Sequence, residues 1–209
     1  MKYFIYFICS LMCSSCLAMS INETEILKYA KGLNPKALHY AVMGYKSADQ
    51  KNMVNNKKVL TVVDFSQPSN KKRLWVIDLN SSKVLLNTYT THAKNSGLTM
   101  ATSFSNKNRS IKSSLGTFKT LHPYTGKHGK SLRISGVEKG INDNALSRAI
   151  VVHPANYATK AFIQKYNRAG RSWGCFALDP AIVKTFINLT KNGSIIYAYA
   201  SQSKPPKLA

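Results

Sequence analysis

Cys175 is the side chain whose type and setting best suit covalent chemistry. It ends the small-residue run Arg171-Ser172-Trp173-Gly174-Cys175. A thiol attacks a carbonyl as the thiolate, and a neighbouring imidazolium or converging backbone N–H groups lower its ordinary pKa of about 8.5. Gly174 leaves room beside the sulfur, and the turn can aim backbone N–H groups at a developing oxyanion. The nearest upstream base is His153, which ends the apolar run Arg148-Ala149-Ile150-Val151-Val152. A third group normally fixes the histidine tautomer, and a main-chain carbonyl does this as well as a carboxylate. Asp143 and Asp179 are the nearby carboxylates; Asp179 precedes Pro180 as a helix cap, so the expected partner is the backbone carbonyl of Pro154.

Each of these residues also has a plainer reading. A lone cysteine is often a small buried hydrophobe, and a histidine ending an apolar strand is often a satisfied core residue. The same side chains also allow a different chemistry, because His122, His128, His153 and Cys175 are all types that zinc accepts. Their spacing matches no helix-borne His-Glu-x-x-His pair and no carboxylate is evidently placed as general base, so the expectation is no metal and no cofactor.

The other three cysteines, Cys9, Cys13 and Cys16, fall within residues 1–20, which have the form of a cleavable export signal. Lys2 is the positive start, Tyr3 to Leu11 the apolar stretch, and Ala18-Met19-Ser20 the small-residue cleavage site. The apolar stretch is too short for a membrane span. Cys13 and Cys16 raise lipid anchoring as an alternative. An exported body with a single thiol has no internal disulfide and must be held by its core. The chain carries 30 Lys and Arg against 8 Asp and Glu, a formal charge of +22, which favours anionic partners such as envelope polymers. No nucleic-acid-binding motif accompanies that charge.

Positioning these residues requires a scaffold, and the pattern divides the body in two. Residues 21–56 read as a helical segment, with Asn22 capping a helix from Glu23 to Lys31, and Asn34-Pro35 opening a second with Leu38, Ala41, Val42 and Tyr45 on one face. Residues 57–201 read as strand-rich: Val59 to Phe65, Leu74 to Leu79 and Val84 to Thr90 are β-branched runs separated by turns, suited to antiparallel hairpins. Asn95 to Asn144, rich in Gly, Ser, Asn and Lys, reads as long loops on a β scaffold. A strand Arg148 to Val152, a helix Ala158 to Tyr166, a helix between Asp179-Pro180 and Asn192-Gly193, and a strand Ser194 to Ala200 follow. Residues 202–209 are a basic tail.

Five blocks in this order carry a resemblance. They are Ser114-Leu115-Gly116-Thr117-Phe118; Tyr124-Thr125-Gly126-Lys127-His128-Gly129-Lys130-Ser131-Leu132-Arg133; Gly136-Val137-Glu138-Lys139-Gly140-Ile141-Asn142-Asp143-Asn144-Ala145; Arg148 to His153; and Gly170 to Cys175. Across roughly Lys58 to Ala200 the chain resembles the murein L,D-transpeptidase catalytic domains, cysteine enzymes of bacterial peptidoglycan. It departs from them in having Trp173 where the wider family has His, Ala177 where an Arg is frequent, and Pro154 and Phe176 where this branch has Gly and Pro.

The resemblance implies a β-rich α+β fold, a β-sandwich or barrel catalytic domain with short helices. It implies Cys175 as nucleophile, His153 as base, the Pro154 carbonyl as its orienting group and Gly174 in the oxyanion loop. Tyr124, Lys127, His128, Gly129, Arg171, Ser172 and Trp173 would contact the substrate. That substrate would be a peptidoglycan stem peptide, whose terminal D-alanine leaves as a thioester forms; an amine then gives a cross-link and water gives carboxypeptidase activity. The expected protein is a monomer of the bacterial periplasm or cell envelope with no membrane span after cleavage. The alternatives are a carboxypeptidase alone, the zinc peptidase, or a non-catalytic module binding envelope polymers.

Overall fold

The computed structural model describes residues 21–206. The segment expected to be an export signal, with Cys9, Cys13 and Cys16, and the last residues of the basic tail lie outside the described residues. Among the described residues no helix is long and apolar enough to cross a membrane.

Two helices lead into the sheet. The first, α1 (Glu23–Tyr29), starts where Asn22 Oδ1 accepts from the Glu25 N–H at 3.0 Å, and it ends two residues earlier than the sequence pattern suggests. The second, α2 (Pro35–Gln50), has Asn34 as cap and Pro35 in its first turn, where the missing N–H costs nothing. Its buried stripe of Ala37, Leu38, Ala41, Val42, Tyr45 and Ala48 recurs at helical spacing and packs on the strands below. Gly44 permits that approach, since a Cβ there would stand 2.5 Å from Thr117 Oγ1 and 3.0 Å from the Tyr197 ring.

The strands are β1 (Val59–Asp64), β2 (Leu74–Asp78), β3 (Val84–Thr88), β4 (His92–Ala93), β5 (Gly116–Gly126), β6 (Gly129–Gly136), β7 (Val151–Pro154), β8 (Arg171–Ser172), β9 (Phe176–Leu178) and β10 (Ile195–Tyr199). Eight form one sheet in the order β3-β2-β1-β10-β5-β6-β7-β9, while β4 and β8 form a small parallel pair. The β1-β2-β3 meander is antiparallel, as the turn signals predict, but β1 pairs with β10 and β7 with β9 in parallel. The sheet nearly closes. Thr90 and Thr91, just past edge strand β3, bond to Ala177 of the opposite edge: Thr91 N–H and Thr90 Oγ1 donate to its carbonyl at 3.3 Å, and its N–H donates to Thr91 Oγ1 at 3.2 Å. Tying edges together in this way removes exposed strand templates.

The inner face of the sheet closes over α4 (Pro180–Thr190), with Val63, Phe118, Ile134, Val152, Phe176, Phe186 and Ile187 in one core. The outer face of β1, β2 and β10 is covered by the first two helices, with Leu60, Val62, Trp75, Ile77, Tyr197 and Tyr199 in a second core. Strands covered on both faces read as continuous apolar runs, which is the pattern of Val59 to Val63 and Ile195 to Tyr199. Fully burying each such side chain contributes about 1.5–3 kcal/mol.

Two expectations are corrected. The stretch Asn95 to Asn144 holds the two longest strands, β5 and β6, rather than loops alone. Their far halves leave the sheet as a ribbon exposed to solvent, with a register shift between Thr120 and Pro123, so no apolar alternation marks them. The strand expected at Arg148 to Val152 begins only at Val151, because residues 139–149 form successive turns and Ala149 adopts a left-handed conformation (φ 53°).

Candidate active site

Parallel pairing of β7 with β9 sets Val152 opposite Phe176 and His153 opposite Ala177. Val152 and Phe176 point into the inner core. Alternation therefore turns His153 and Cys175 to the other face, where both line one cavity of about 450 Å³. Tyr124, Lys127 and His128 of the β5–β6 ribbon form another wall, and Arg171, Ser172 and Trp173 a third. The floor and remaining wall come from Arg148, Ala149, Val151 and Tyr157. No carboxylate lines the cavity among the described residues.

His153 is buried, and its Nδ1 lies 2.9 Å from the Pro154 carbonyl oxygen. A carbonyl only accepts, so Nδ1 carries the proton and Nε2 is left as the basic nitrogen. Burial lowers its pKa below the usual histidine value against the pull of the Pro154 carbonyl, with the charges of His128 and Lys127 adding to the lowering. The His128 ring stacks on that of His153 at 4.4 Å between centroids, with the planes at 27°.

Cys175 is half-buried, and its thiol donates to the Ala149 carbonyl at 3.6 Å. Burial raises the thiol pKa, opposed by the N–H groups of Val151 and Cys175 and by the positive Arg148 and Lys127. The sequence predicts a thiol activated by its neighbours; in the folded protein desolvation outweighs them, so sulfur and imidazole both rest neutral.

The turn before the sulfur is built by Ser172. Its Oγ donates to the Cys175 carbonyl at 2.7 Å and accepts from the Gly174 N–H at 3.1 Å. The Gly174 N–H expected to face an oxyanion is thus occupied within the turn. Gly174 has φ +137°, and a Cβ there would collide with the Ile150 side chain. Gly174→Ala is expected to cost about 1–3 kcal/mol of stability through backbone strain. It should also slow alkylation of Cys175, as thermal unfolding and a timed iodoacetamide reaction will read.

Gly129 and Pro154 flank the cavity rather than line it, with the Gly129 Cα direction 3.9 Å from the Pro154 ring at a notional Cβ. One Arg171 N–H group is engaged by the carbonyls of Lys94 and Gly97, at 3.1 and 3.3 Å. Trp173 stands 76% exposed at the mouth. Tyr124 is covered by the Arg133 guanidinium, 4.5 Å from its ring centre. Asp143 is held by Asn106 Nδ2 and the Gly140 N–H, and Asp179 caps α4 through the Ala181 N–H. His122 does not line the cavity, and no group of three or more His, Cys, Asp or Glu converges to hold a metal among the described residues.

Sequence reasoning missed Arg148 as a wall of the site. Its Nη1 donates to Ser105 O and Ser114 Oγ at 2.8 and 2.6 Å, and its Nη2 to Lys112 O and Ser110 Oγ at 2.6 and 3.3 Å. It therefore ties residues 105–114 to the sulfur's surroundings. Ala149 and Tyr157 were also missed, because a carbonyl contact and a cavity wall leave no residue-type signature. The only available signal was the position of Arg148 and Ala149 immediately before the histidine strand.

Three solved structures are similar to the chain. An L,D-transpeptidase from Mycobacterium smegmatis is 18% identical, with a TM-score of 0.43 over 68% of this chain and 59% of its own. An L,D-transpeptidase from Xylanimonas cellulosilytica is 14% identical, with a TM-score of 0.37 over 66% of this chain and 58% of its own. The helical cell shape determining protein Pgp2 from Campylobacter jejuni is 10% identical, with a TM-score of 0.47 over 79% of this chain and 58% of its own. The chain thus spans less than two thirds of the length of each. No curated protein sequence matches it significantly. The model of the L,D-transpeptidase catalytic domain matches residues 29–199, from the end of α1 to the end of the last strand, and the chain belongs to that family.

Proposed function

We propose that the protein is a cysteine acyltransferase acting on peptidoglycan stem peptides, with Cys175 as nucleophile and His153 as base. The observation that supports this reading is that Cys175 and a His153 whose tautomer is fixed by Pro154 line one basic cavity with Trp173 exposed at its edge. A stem peptide brings carboxylates, and the cavity meets them with Lys127, Arg148 and Arg171.

The step begins from the neutral pair. Rotation about the Cys175 Cα–Cβ bond takes the sulfur from the Ala149 carbonyl towards the cavity, and its proton passes to His153 Nε2. The sulfur electron pair bonds to the carbonyl carbon of the L-centred third residue, and the carbonyl electrons move to oxygen. Arg148 and Lys127 supply positive charge to that intermediate. Collapse breaks the C–N bond, His153 returns the proton to the departing D-alanine amine, and a thioester remains. An amine or water then attacks that thioester, with His153 taking and returning the proton once more. The protein works in the cell envelope, where its positive charge also favours anionic polymers.

A purified tetrapeptide muropeptide is the test substrate, with release of D-alanine followed by mass spectrometry. Release abolished by a thiol alkylator and unchanged by a chelator is the expected result. The reverse pattern would establish a metal peptidase instead. Salt-sensitive binding to sacculi with no release would make the protein a binding module.

A further inference from the structure

His153 has more holding its ring than a base at a strand end requires. One edge is tied through Nδ1 to the Pro154 carbonyl at 2.9 Å, and one face is covered by the His128 ring at 4.4 Å. His128 is presented by the tightest element near the site. It lies with Lys127 in the turn between β5 and β6, closed by pairing of Gly126 with Gly129, and Gly129, the residue after the turn, takes the left-handed conformation (φ +80°) found in hairpins that close on a glycine bulge. The same turn reaches the Pro154 side chain, since a Cβ on Gly129 would sit 3.9 Å from its ring. The tip of the ribbon thus meets both the imidazole and the residue that orients it.

We infer that His128 is a positioning residue for His153, fixing the plane in which Nε2 meets the thiol proton. The inference rests on the reading of Cys175 and His153 as nucleophile and base. The groups facing His153 from the surrounding elements are Tyr124, Lys127 and His128 of the ribbon, Arg148 before its own strand, Tyr157 after it, and Arg171 and Cys175 on the sulfur side. None is a carboxylate, so an imidazolium formed at His153 finds no counter-ion in the wall of the cavity. What lies against the face of the ring is the stacked His128.

The test is the rate of Cys175 alkylation by iodoacetamide against pH, using the whole protein and its variants with folding checked by thermal unfolding. Iodoacetamide is small and neutral and uses no stem-peptide contact, so a role for His128 in substrate binding alone leaves this rate unmoved. His128→Ala should lower the plateau rate about three- to tenfold, the size of a lost aromatic stack. It should also move the acid limb to higher pH, because His128 adds to the lowering of the His153 pKa. His128→Phe should recover most of the rate by restoring the stack, while keeping the displaced limb because phenylalanine does not titrate. His153→Ala should reduce the profile to that of a simple thiol. A His128→Ala profile matching the parent, with His153→Ala still altered, overturns this inference and leaves the assigned base standing. A His153→Ala profile matching the parent overturns both.

Discussion

Alanine at position 175 should eliminate D-alanine release, lowering turnover by about 10⁴-fold or more, as loss of a nucleophile does in acyl-transfer enzymes. Intact-mass analysis after mixing with a tetrapeptide donor or a carbapenem should show an adduct on the parent and none on Cys175→Ala. Cys175→Ser should be nearly as inactive. A hydroxyl starts with a far higher pKa than a thiol, the burial that raises the thiol acts on an alkoxide too, and His153 is itself held to weak basicity by burial. Stability should barely change in either variant, since the sulfur is half-buried and its hydrogen bond to Ala149 is a long one at 3.6 Å. An adduct that persists in Cys175→Ala would end the claim that this sulfur is the nucleophile.

Arg73→Ala should be the most damaging change to folding. The guanidinium is fully buried. Nε and Nη2 donate to the Thr90 carbonyl at 3.1 and 3.0 Å, Nη1 to Gln67 O at 3.0 Å, and Nη2 to His92 Nδ1 at 2.8 Å. Its charge lies over the Phe65 ring, 5.1 Å from the centre. Burial lowers its pKa to about 9, still well above neutral, so the cation is retained at pH 7. Removing it strands two carbonyls and an imidazole nitrogen in the interior, a loss of about 3–5 kcal/mol. Thermal unfolding should then fall by roughly 10 °C for a domain of this size. A shift of only a degree or two would mean that water or a rearranged backbone satisfies those atoms.

The same network predicts a pH dependence. Burial and the Arg73 charge hold His92 down at about 4, with its Nε2 directed at the Gly97 carbonyl at 3.2 Å. Nδ1 accepts from Arg73, so the ring is neutral with its proton on Nε2. Between the unfolded histidine pKa near 6.5 and about 4, the unfolded chain binds a proton that the folded chain refuses. Stability contributed by the neutral ring is therefore complete above about pH 6.5 and declines as pH falls through this window. Arg73→Ala removes the larger of the two charges beside that ring and should flatten the slope.

The elements legible in the sequence were those with a strong local signal. The caps at Asn22, Asn34 and Asp179 mark their helices through side-chain oxygens that accept the first free N–H groups. The β1-β2-β3 meander shows in its β-branched runs. That Cys175 and His153 would share one cavity was legible through residue type and the blocks around them. Parallel pairings were not legible, because partners far apart in the chain leave no trace in local periodicity. The β5–β6 ribbon was hidden because its outer half carries no apolar alternation and is mostly exposed. Arg148 read as the start of a strand because nothing in its neighbours announces that its guanidinium collects four bonds from residues 105–114. The resting protonation of the thiol was misjudged for a related reason: a sequence shows which charges are near but not how much water the fold takes away.

The pairing of β7 with β9 has a consequence for how such sites vary. Neighbouring strands stand about 4.8 Å apart whatever joins them. The reach between sulfur and imidazole is therefore inherited from backbone hydrogen bonding, while the crossover from Ala155 to Gly170, with its helix Lys160–Tyr166, decides only how many residues separate them along the chain. Insertions at the outer end of that crossover would lengthen the interval in the text without stretching the distance in space. Order of the two residue types, rather than their count apart, is the durable signature.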